Sequence, residues 1–135
     1  MAEVSSLLNT DASNTTRFNG ANNVSTLDDA GRALEGMLSR WIKDNDGSNT
    51  TTGSATAYVI ALNRTGIAAN ADVDRICVRF HLANSGAATL QCNSLAALPI
   101  RKAGNEALVT GDILANDVKD VVFNPANNSF QLLGQ

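Results

Sequence analysis

Residues 78–100 read VRFHLANSGAATLQCNSLAALPI, and this stretch decides the fold class of the chain. Apolar and polar residues alternate over 76–82, which predicts a strand whose apolar face holds Ile76, Val78, Phe80 and Leu82. The turn residues Asn84, Ser85 and Gly86 follow, and a second strand is predicted over 89–93. Two short strands joined by a turn indicate a β-rich domain.

Turn residues divide the rest of the C-terminal part into similar short segments. We predict further strands over residues 55–62, 108–110, 119–124 and 129–133, and we expect the alternating strand to span residues 73–83. Residues 48–54 are predicted to form a loop, and residues 94–99 an irregular segment. Short strands at such intervals predict a small antiparallel β-sandwich or barrel-like domain over residues 55–135.

A polar segment and a helix precede this domain. Residues 1–25 are mostly polar, so we expect an extended arm that docks onto another protein through Leu7, Leu8 and Phe18. Residues 26–47 are predicted to form an amphipathic helix that mediates subunit contacts, and Leu38 and Ile42 widen its apolar face. Its two-heptad apolar seam, the predicted subunit interface, consists of Leu27, Ala30, Leu34, Met37 and Trp41.

Composition limits the partners that we expect. The apolar fraction of the 135 residues is 44%, but aromatic residues make up only 4% and twenty residues are alanine, so a partner subunit would add to a weak core. The net charge of −3 argues against a nucleic-acid partner. The sequence has no apolar window of membrane-span length and no signal-peptide pattern. We therefore expect that the chain is made in a cytosol and does not insert into a membrane.

Few residues could carry catalysis or bind a metal. His81 is the only histidine, and with Cys77 and Cys92 it would supply three zinc ligands, but no closely spaced ligand pair frames them. We expect the two cysteines, on neighbouring predicted strands, to be small buried residues without a disulfide. No nucleophile motif accompanies His81, so we predict that the protein is not an enzyme and has no cofactor.

Acidic residues provide two further candidates. The DNDG sequence at 44–47 lacks the other ligands of a calcium loop, and we interpret it as a helix stop in a solvated turn. The pairs Asp72/Asp74 and Asp117/Asp120 could in principle serve a glycosidase. The low aromatic content offers poor platforms for sugar stacking, so we do not expect hydrolysis.

Several pieces of the chain resemble, in the same order, a module of phage and prophage tail-fibre proteins. The matching pieces are LDDAGR at 27–32, RW at 40–41, DNDG at 44–47, RF at 79–80, NSGAATL at 84–90, PI at 99–100, VVFN at 121–124 and FQLL at 130–133. The chain departs from the module at 93–96, where it lacks two glycines. It also departs at Leu98, where a polar residue is usual, and an exposed Leu98 would suit a contact surface.

The resemblance implies a homotrimeric structural component of a bacteriophage virion. The expected protein is a tail fibre or fibre anchor involved in host attachment, assembled in the host bacterial cytoplasm and located in the virion. Its partners would be its own copies and other virion proteins of the tail or capsid. Two alternatives remain open: a trimeric capsid decoration or head-fibre protein, and a module that binds a host surface glycan or receptor.

Overall fold

The computed structural model describes the backbone of residues 24–134 and the side chains of residues 27–134. The predicted docking residues Leu7, Leu8 and Phe18 lie outside these ranges. In residues 24–134, one α-helix is followed by seven strands, so the prediction of a helix followed by a mainly β domain is confirmed.

Helix α1 spans Val24–Asn45, two residues earlier at each end than the predicted 26–47. It ends where side chains begin to bond the backbone. Asn45 Nδ2 donates to the Trp41 carbonyl at 2.9 Å, and Asp46 Oδ1 accepts from the Ser48 amide at 2.8 Å. Gly47 follows with a φ of +77°, and a Cβ there would lie 2.8 Å from Val118 Cγ1, so only glycine fits this turn.

The strands form one curled mixed sheet with the shape of a half-barrel. In chain order they are β1 (Thr52–Ser54), β2 (Ala57–Ile60), β3 (Arg75–Arg79), β4 (Thr89–Cys92), β5 (Leu98–Arg101), β6 (Val118–Asn124) and β7 (Ser129–Leu132). Their order across the sheet is β1-β2-β4-β5-β7-β6-β3.

The predicted purely antiparallel pairing is wrong. β2 and β4 pair in parallel, with Tyr58 opposite Leu90, and β5 and β7 pair in parallel, with Ile100 opposite Phe130. The reason is topological: β3 leaves for the far edge to pair with β6, so the chain must cross over between β2 and β4. The other neighbouring strands pair antiparallel.

Residues 49–54 connect the two edges of the sheet, although the sequence predicts a loop there. β1 pairs with β2, while the segment just before it hydrogen-bonds to the opposite edge strand β3. The Thr51 amide donates to the Arg79 carbonyl, and the Arg79 amide donates to the Asn49 carbonyl, both at 2.9 Å. These bonds pair backbone groups that an edge strand would otherwise leave open, and they help to curl the sheet.

The core consists mainly of residues in or next to the strands and follows much of the predicted alternation. Ile76, Val78 and Phe80 are fully buried, as predicted for one face of β3. Leu82 is 43% exposed, because β3 ends at Arg79 and the chain bends before residue 82. Leu98 is buried in β5, so the exposed contact surface suggested for it is absent.

Two segments differ from their predicted conformation. β5 begins within residues 94–99, where the sequence predicts an irregular segment, and the Ile100 amide donates to the Ala88 carbonyl at 2.8 Å. Residues 108–110 form no strand, although Leu108 is buried. At the turn that lacks the two glycines, Asn93 adopts a φ of +53°, a conformation that asparagine tolerates.

Candidate functional site

A buried ion pair fixes helix α1 to the sheet domain. Asp44, in the last turn of α1, and Arg64, shortly after β2, are both fully buried. The Arg64 Nε donates to Asp44 Oδ2 at 2.9 Å, and Asn63 donates to Asp44 Oδ1 from its amide at 2.7 Å and from Nδ2 at 2.9 Å. Asp44 is therefore part of the core, and the interpretation of residues 44–47 as a solvated turn is wrong at this position.

Arg64 extends the connection to the segment that precedes β3. Its Nη2 donates to the Val73 carbonyl at 2.9 Å. Its Nη1 is buried without a hydrogen-bond partner among the described residues. Further hydrogen bonds offset part of the cost of burying a charge pair, and the two bonds from Asn63 supply them on the Asp44 side. The helix consequently has a defined direction relative to the sheet.

α1 presents apolar side chains that its own domain does not cover. Leu27 and Ile42 are each 50% exposed, Leu38 is 55% exposed, and Leu34 is half-buried. We call these four residues the apolar stripe; at 100° per residue they lie within about 80° of one another around the helix. Arg32 lies on another side, where it pairs with Asp28 at 2.7 Å and Asp29 at 3.1 Å.

The predicted subunit interface is divided by the fold. Leu27 is exposed, and Ala30, Leu34 and Trp41 are half-buried. Met37 is only 3% exposed within the single chain, on the side of the helix next to Asp44. The stripe left uncovered is thus rotated from the predicted seam towards Leu38 and Ile42. The helical periodicity of the sequence includes both the predicted seam and the apolar stripe. Which of these residues stay uncovered depends on where the β-domain contacts the helix.

A cavity of about 440 Å³ lies at the base of the stripe, between the helix and β3. It is lined by Trp41, Ile42, Asn45, Asp46 and Arg75. The Trp41 Nε1 is buried without a hydrogen-bond partner in the described part of the chain. The lining therefore combines two large apolar side chains, Trp41 and Ile42, with two charged ones, Asp46 and Arg75.

The two charged groups that line the cavity are stabilised in their ionised forms. The Arg75 Nη2 donates to Asp120 Oδ2 at 2.7 Å, and this bond raises the pKa of the guanidinium. Hydrogen bonds from the side chain and backbone of Ser48 lower the pKa of Asp46. At neutral pH the lining thus presents one cation, already paired with Asp120, and one anion.

His81 is hydrogen-bonded within the fold, and the two cysteines lie in separate strands. His81 Nδ1 lies 2.9 Å from Thr51 Oγ1, and Thr51 Oγ1 accepts from the His81 amide at 3.1 Å. Cys92 is buried in β4, which raises its pKa to about 12, whereas Cys77 is only partly buried, in β3. Three strands separate β3 from β4, so the prediction that the cysteines lie on neighbouring strands is wrong.

Asp72, Asp117 and Asp120 of the two acidic pairs bond to backbone amides or to a cation. Asp72 Oδ2 accepts from the amides of Ala68 and Ala69, each at 2.9 Å, which lowers its pKa. Asp117 Oδ2 accepts from the Leu114 amide at 3.0 Å, and Asp120 pairs with Arg75. Over residues 27–134, no three metal-binding side chains of His, Cys, Asp or Glu come together.

Asn84 is a structural residue that the sequence analysis treated only as part of a turn. It is buried, and its Nδ2 donates to the carbonyls of Gly86 at 2.8 Å and Val109 at 2.7 Å. Its Oδ1 accepts from the amides of Gly111 at 3.1 Å and Ile113 at 2.9 Å. The sequence identifies Asn84 as a turn residue between two apolar segments. It does not reveal the loop that Asn84 bonds, because that loop is 25 or more residues away.

Within the described part of the chain, the one long helix is too polar for a membrane span. In comparisons with known proteins, no protein-family model matches the chain and no similar curated protein is found.

Proposed function

We propose that this chain is a structural subunit of a phage particle, a homotrimeric tail fibre or fibre anchor that takes part in host attachment. The observation that supports this proposal is the apolar stripe on a helix that the Asp44–Arg64 pair holds in a defined direction. A firmly held helix with uncovered leucines is the arrangement that a subunit contact requires.

The energetics favour covering the stripe. Fully burying a large aliphatic side chain contributes roughly 1.5–3 kcal/mol, and Leu27, Leu38 and Ile42 are each about half exposed. The helix has 22 residues, which corresponds to about 33 Å, long enough for about six turns of contact. The number of three copies and the phage context rest on the resemblance to the tail-fibre module.

Attachment to the particle is assigned to the N-terminal segment. Deletion of residues 1–23 is expected to leave the trimer intact and to prevent its incorporation into particles. A capsid site in place of a tail site would give the same biochemistry, and electron micrographs of particles labelled with an antibody against the chain distinguish the two.

The test of the proposal is the mass of the purified full-length chain in solution. Sedimentation equilibrium should give three times the chain mass of 14.1 kDa. Leu38→Lys should lower this mass, because a lysine in the stripe would have to be buried in the contact. Ser39→Lys, one residue further on the exposed polar side, is the matched control and should leave the mass unchanged. A monomeric wild-type chain would refute the proposal.

The cavity at the helix base favours a second candidate function, binding of a host surface glycan. The half-buried Trp41 ring offers an apolar face, and Asp46 and Arg75 beside it offer groups that can hydrogen-bond to sugar hydroxyls. Trp41 is the only tryptophan, so its fluorescence reports on the cavity directly. Titration with host surface polysaccharide should shift the emission if a glycan binds there, and an unchanged spectrum at millimolar sugar would exclude it.

A further inference from the structure

The cavity at the base of α1 combines an aromatic ring with a carboxylate and a guanidinium. Its volume of about 440 Å³ lies within the range of small-ligand pockets, roughly 300–1,000 Å³. Trp41 is half-buried and lines the cavity, so a ligand there can contact its ring. Asp46 and Arg75 line the same space, and both side chains are exposed. The charges of these two groups therefore select the ligand.

Arg75 adds little net charge to the cavity. Its Nη2 donates to Asp120 Oδ2 at 2.7 Å, in an ion pair that joins the neighbouring strands β3 and β6. At the distance of a bound ligand the two opposite charges largely cancel, because the Coulomb energy of each falls with separation. An acidic ligand would have to compete with Asp120 for this guanidinium.

Asp46 supplies the net negative charge of the cavity. Its Oδ1 accepts from the Ser48 amide at 2.8 Å, and the Ser48 side chain also bonds the carboxylate. These bonds hold Asp46 in its ionised form without adding a positive charge, and Lys43 contributes least to the lowered pKa. A carboxylate has about four lone-pair sites, so Asp46 keeps sites for a ligand.

A carboxylate beside an aromatic ring suits a positively charged organic group, because both the ring face and the carboxylate attract a cation. We propose that the cavity binds the protonated amino group of an amino sugar, which contacts the Trp41 ring and the Asp46 carboxylate. This inference rests on the second candidate function, glycan binding, and names the class of sugar. The net charge of −3 favours the same ligand, since it attracts cations and repels acidic polysaccharides.

The test compares two oligosaccharides that differ in acetylation and hence in charge. The full-length chain is titrated with the tetramer of glucosamine and with the tetramer of N-acetylglucosamine near pH 6, where aliphatic amines are protonated. Calorimetry gives the affinities, and the fluorescence of Trp41, the only tryptophan, reports binding at the cavity. The glucosamine tetramer should bind at least about fivefold more tightly, and added salt should reduce the difference.

Asp46→Asn tests the carboxylate, because asparagine can still accept from the Ser48 amide but carries no charge. This variant should bind the two tetramers equally. Asp29→Asn is the matched control: it removes the same charge, but twelve residues of helix, about 18 Å, separate position 29 from Trp41. Charges at that distance are largely screened at physiological salt, so the control should keep the preference.

Arg75→Gln provides a test of opposite sign. Loss of the guanidinium leaves Asp120 without its cation beside the cavity, so this variant should bind the glucosamine tetramer more tightly than the wild type does. Weaker binding would show that Arg75 holds the ligand and would contradict the inference.

The outcomes separate this inference from glycan binding itself. Equal affinity of the wild type for both tetramers, or a preference that survives Asp46→Asn, would overturn the inference and leave glycan binding in place. If neither tetramer binds at millimolar concentration, the inference is wrong, and titration with the host surface polysaccharide then decides glycan binding separately.

Discussion

The Asp44 carboxylate accepts a 2.9 Å hydrogen bond from Nε of Arg64, and neither side chain is exposed to solvent. The two residues are twenty positions apart, one in the last turn of α1 and one after β2. Their contact holds the helix against the sheet near β3 and directs Leu38 and Ile42 outwards. The surface proposed for assembly therefore depends on this internal pair.

Removing the charge of Asp44 should destabilise the domain strongly. Asp44→Asn keeps the shape but leaves the buried Arg64 charge without its counter-ion, which typically costs about 3–5 kcal/mol. We expect a corresponding fall in the urea midpoint of unfolding. Asp46→Asn is the control, since Asp46 is exposed, and should change stability much less. Similar midpoints for the two variants would contradict the role assigned to the pair.

Replacing Trp41 should impair assembly. Truncation of a fully buried aromatic side chain to alanine costs about 3–5 kcal/mol, and Trp41, half-buried where the stripe meets the sheet, should lose part of that amount. Trp41→Ala should therefore weaken or abolish the trimer in light scattering, while a polar substitution of the exposed Lys43 should not. An intact Trp41→Ala trimer that no longer adsorbs to host cells would instead support glycan binding by Trp41.

Replacing Asn84 should loosen the loop at residues 109–113. Asn84→Ala removes four hydrogen bonds and leaves the buried Ile113 amide without the Asn84 oxygen. Buried polar groups that lose their partner cost about 1–3 kcal/mol each, so we expect a loss of about 3 kcal/mol and faster hydrogen exchange at Ile113. Ser85→Ala, at an exposed neighbour, should have little effect. Unchanged exchange in Asn84→Ala would show that the loop is held otherwise.

Asp112 should contribute to acid sensitivity. The Val109 amide donates to its Oδ2 at 2.7 Å, and Lys102 Nζ lies 3.0 Å away; these contacts lower the pKa of Asp112 in the folded protein. A lowered folded pKa stabilises the protein above the unfolded pKa of about 3.9, and this contribution is lost as the pH falls through the folded value.

The variant Asp112→Asn tests this dependence, because asparagine can still accept from the Val109 amide but carries no charge. The difference in urea midpoint between wild type and variant should be largest near pH 6 and should disappear as the pH falls well below about 4. A difference that stays constant from pH 6 to pH 2 would exclude Asp112 as the titrating group.

His81 is expected to have a structural role and no catalytic one. His81→Gln removes the ring nitrogen next to Thr51 Oγ1, and loss of one such hydrogen bond costs about 1 kcal/mol. The trimer mass and phage infectivity should be retained. A hydrolytic activity in the wild type that His81→Gln abolishes, with circular dichroism unchanged, would show that the protein is an enzyme.

Local patterns in the sequence predict the helix and most of the strands. The periodicity of residues 27–42 places α1 to within two residues, because helix formation depends on neighbours three and four positions apart. Alternation over 76–80 identifies the buried face of β3. The pattern also extends to Leu82, which is exposed, since alternation does not reveal where a strand stops pairing.

Only the tertiary structure decides how these pieces meet. The parallel pairs β2–β4 and β5–β7, the burial of Asp44 and the division of the helix face between Met37 and Leu38 all depend on contacts between residues far apart in the chain. Asp44 and Lys43 are both charged residues at a helix end in the sequence. Asp44 alone is buried, because Arg64 and Asn63 reach it from the other side of the fold. Local composition thus determines the elements, and long-range contacts determine which of their faces remain free for a partner.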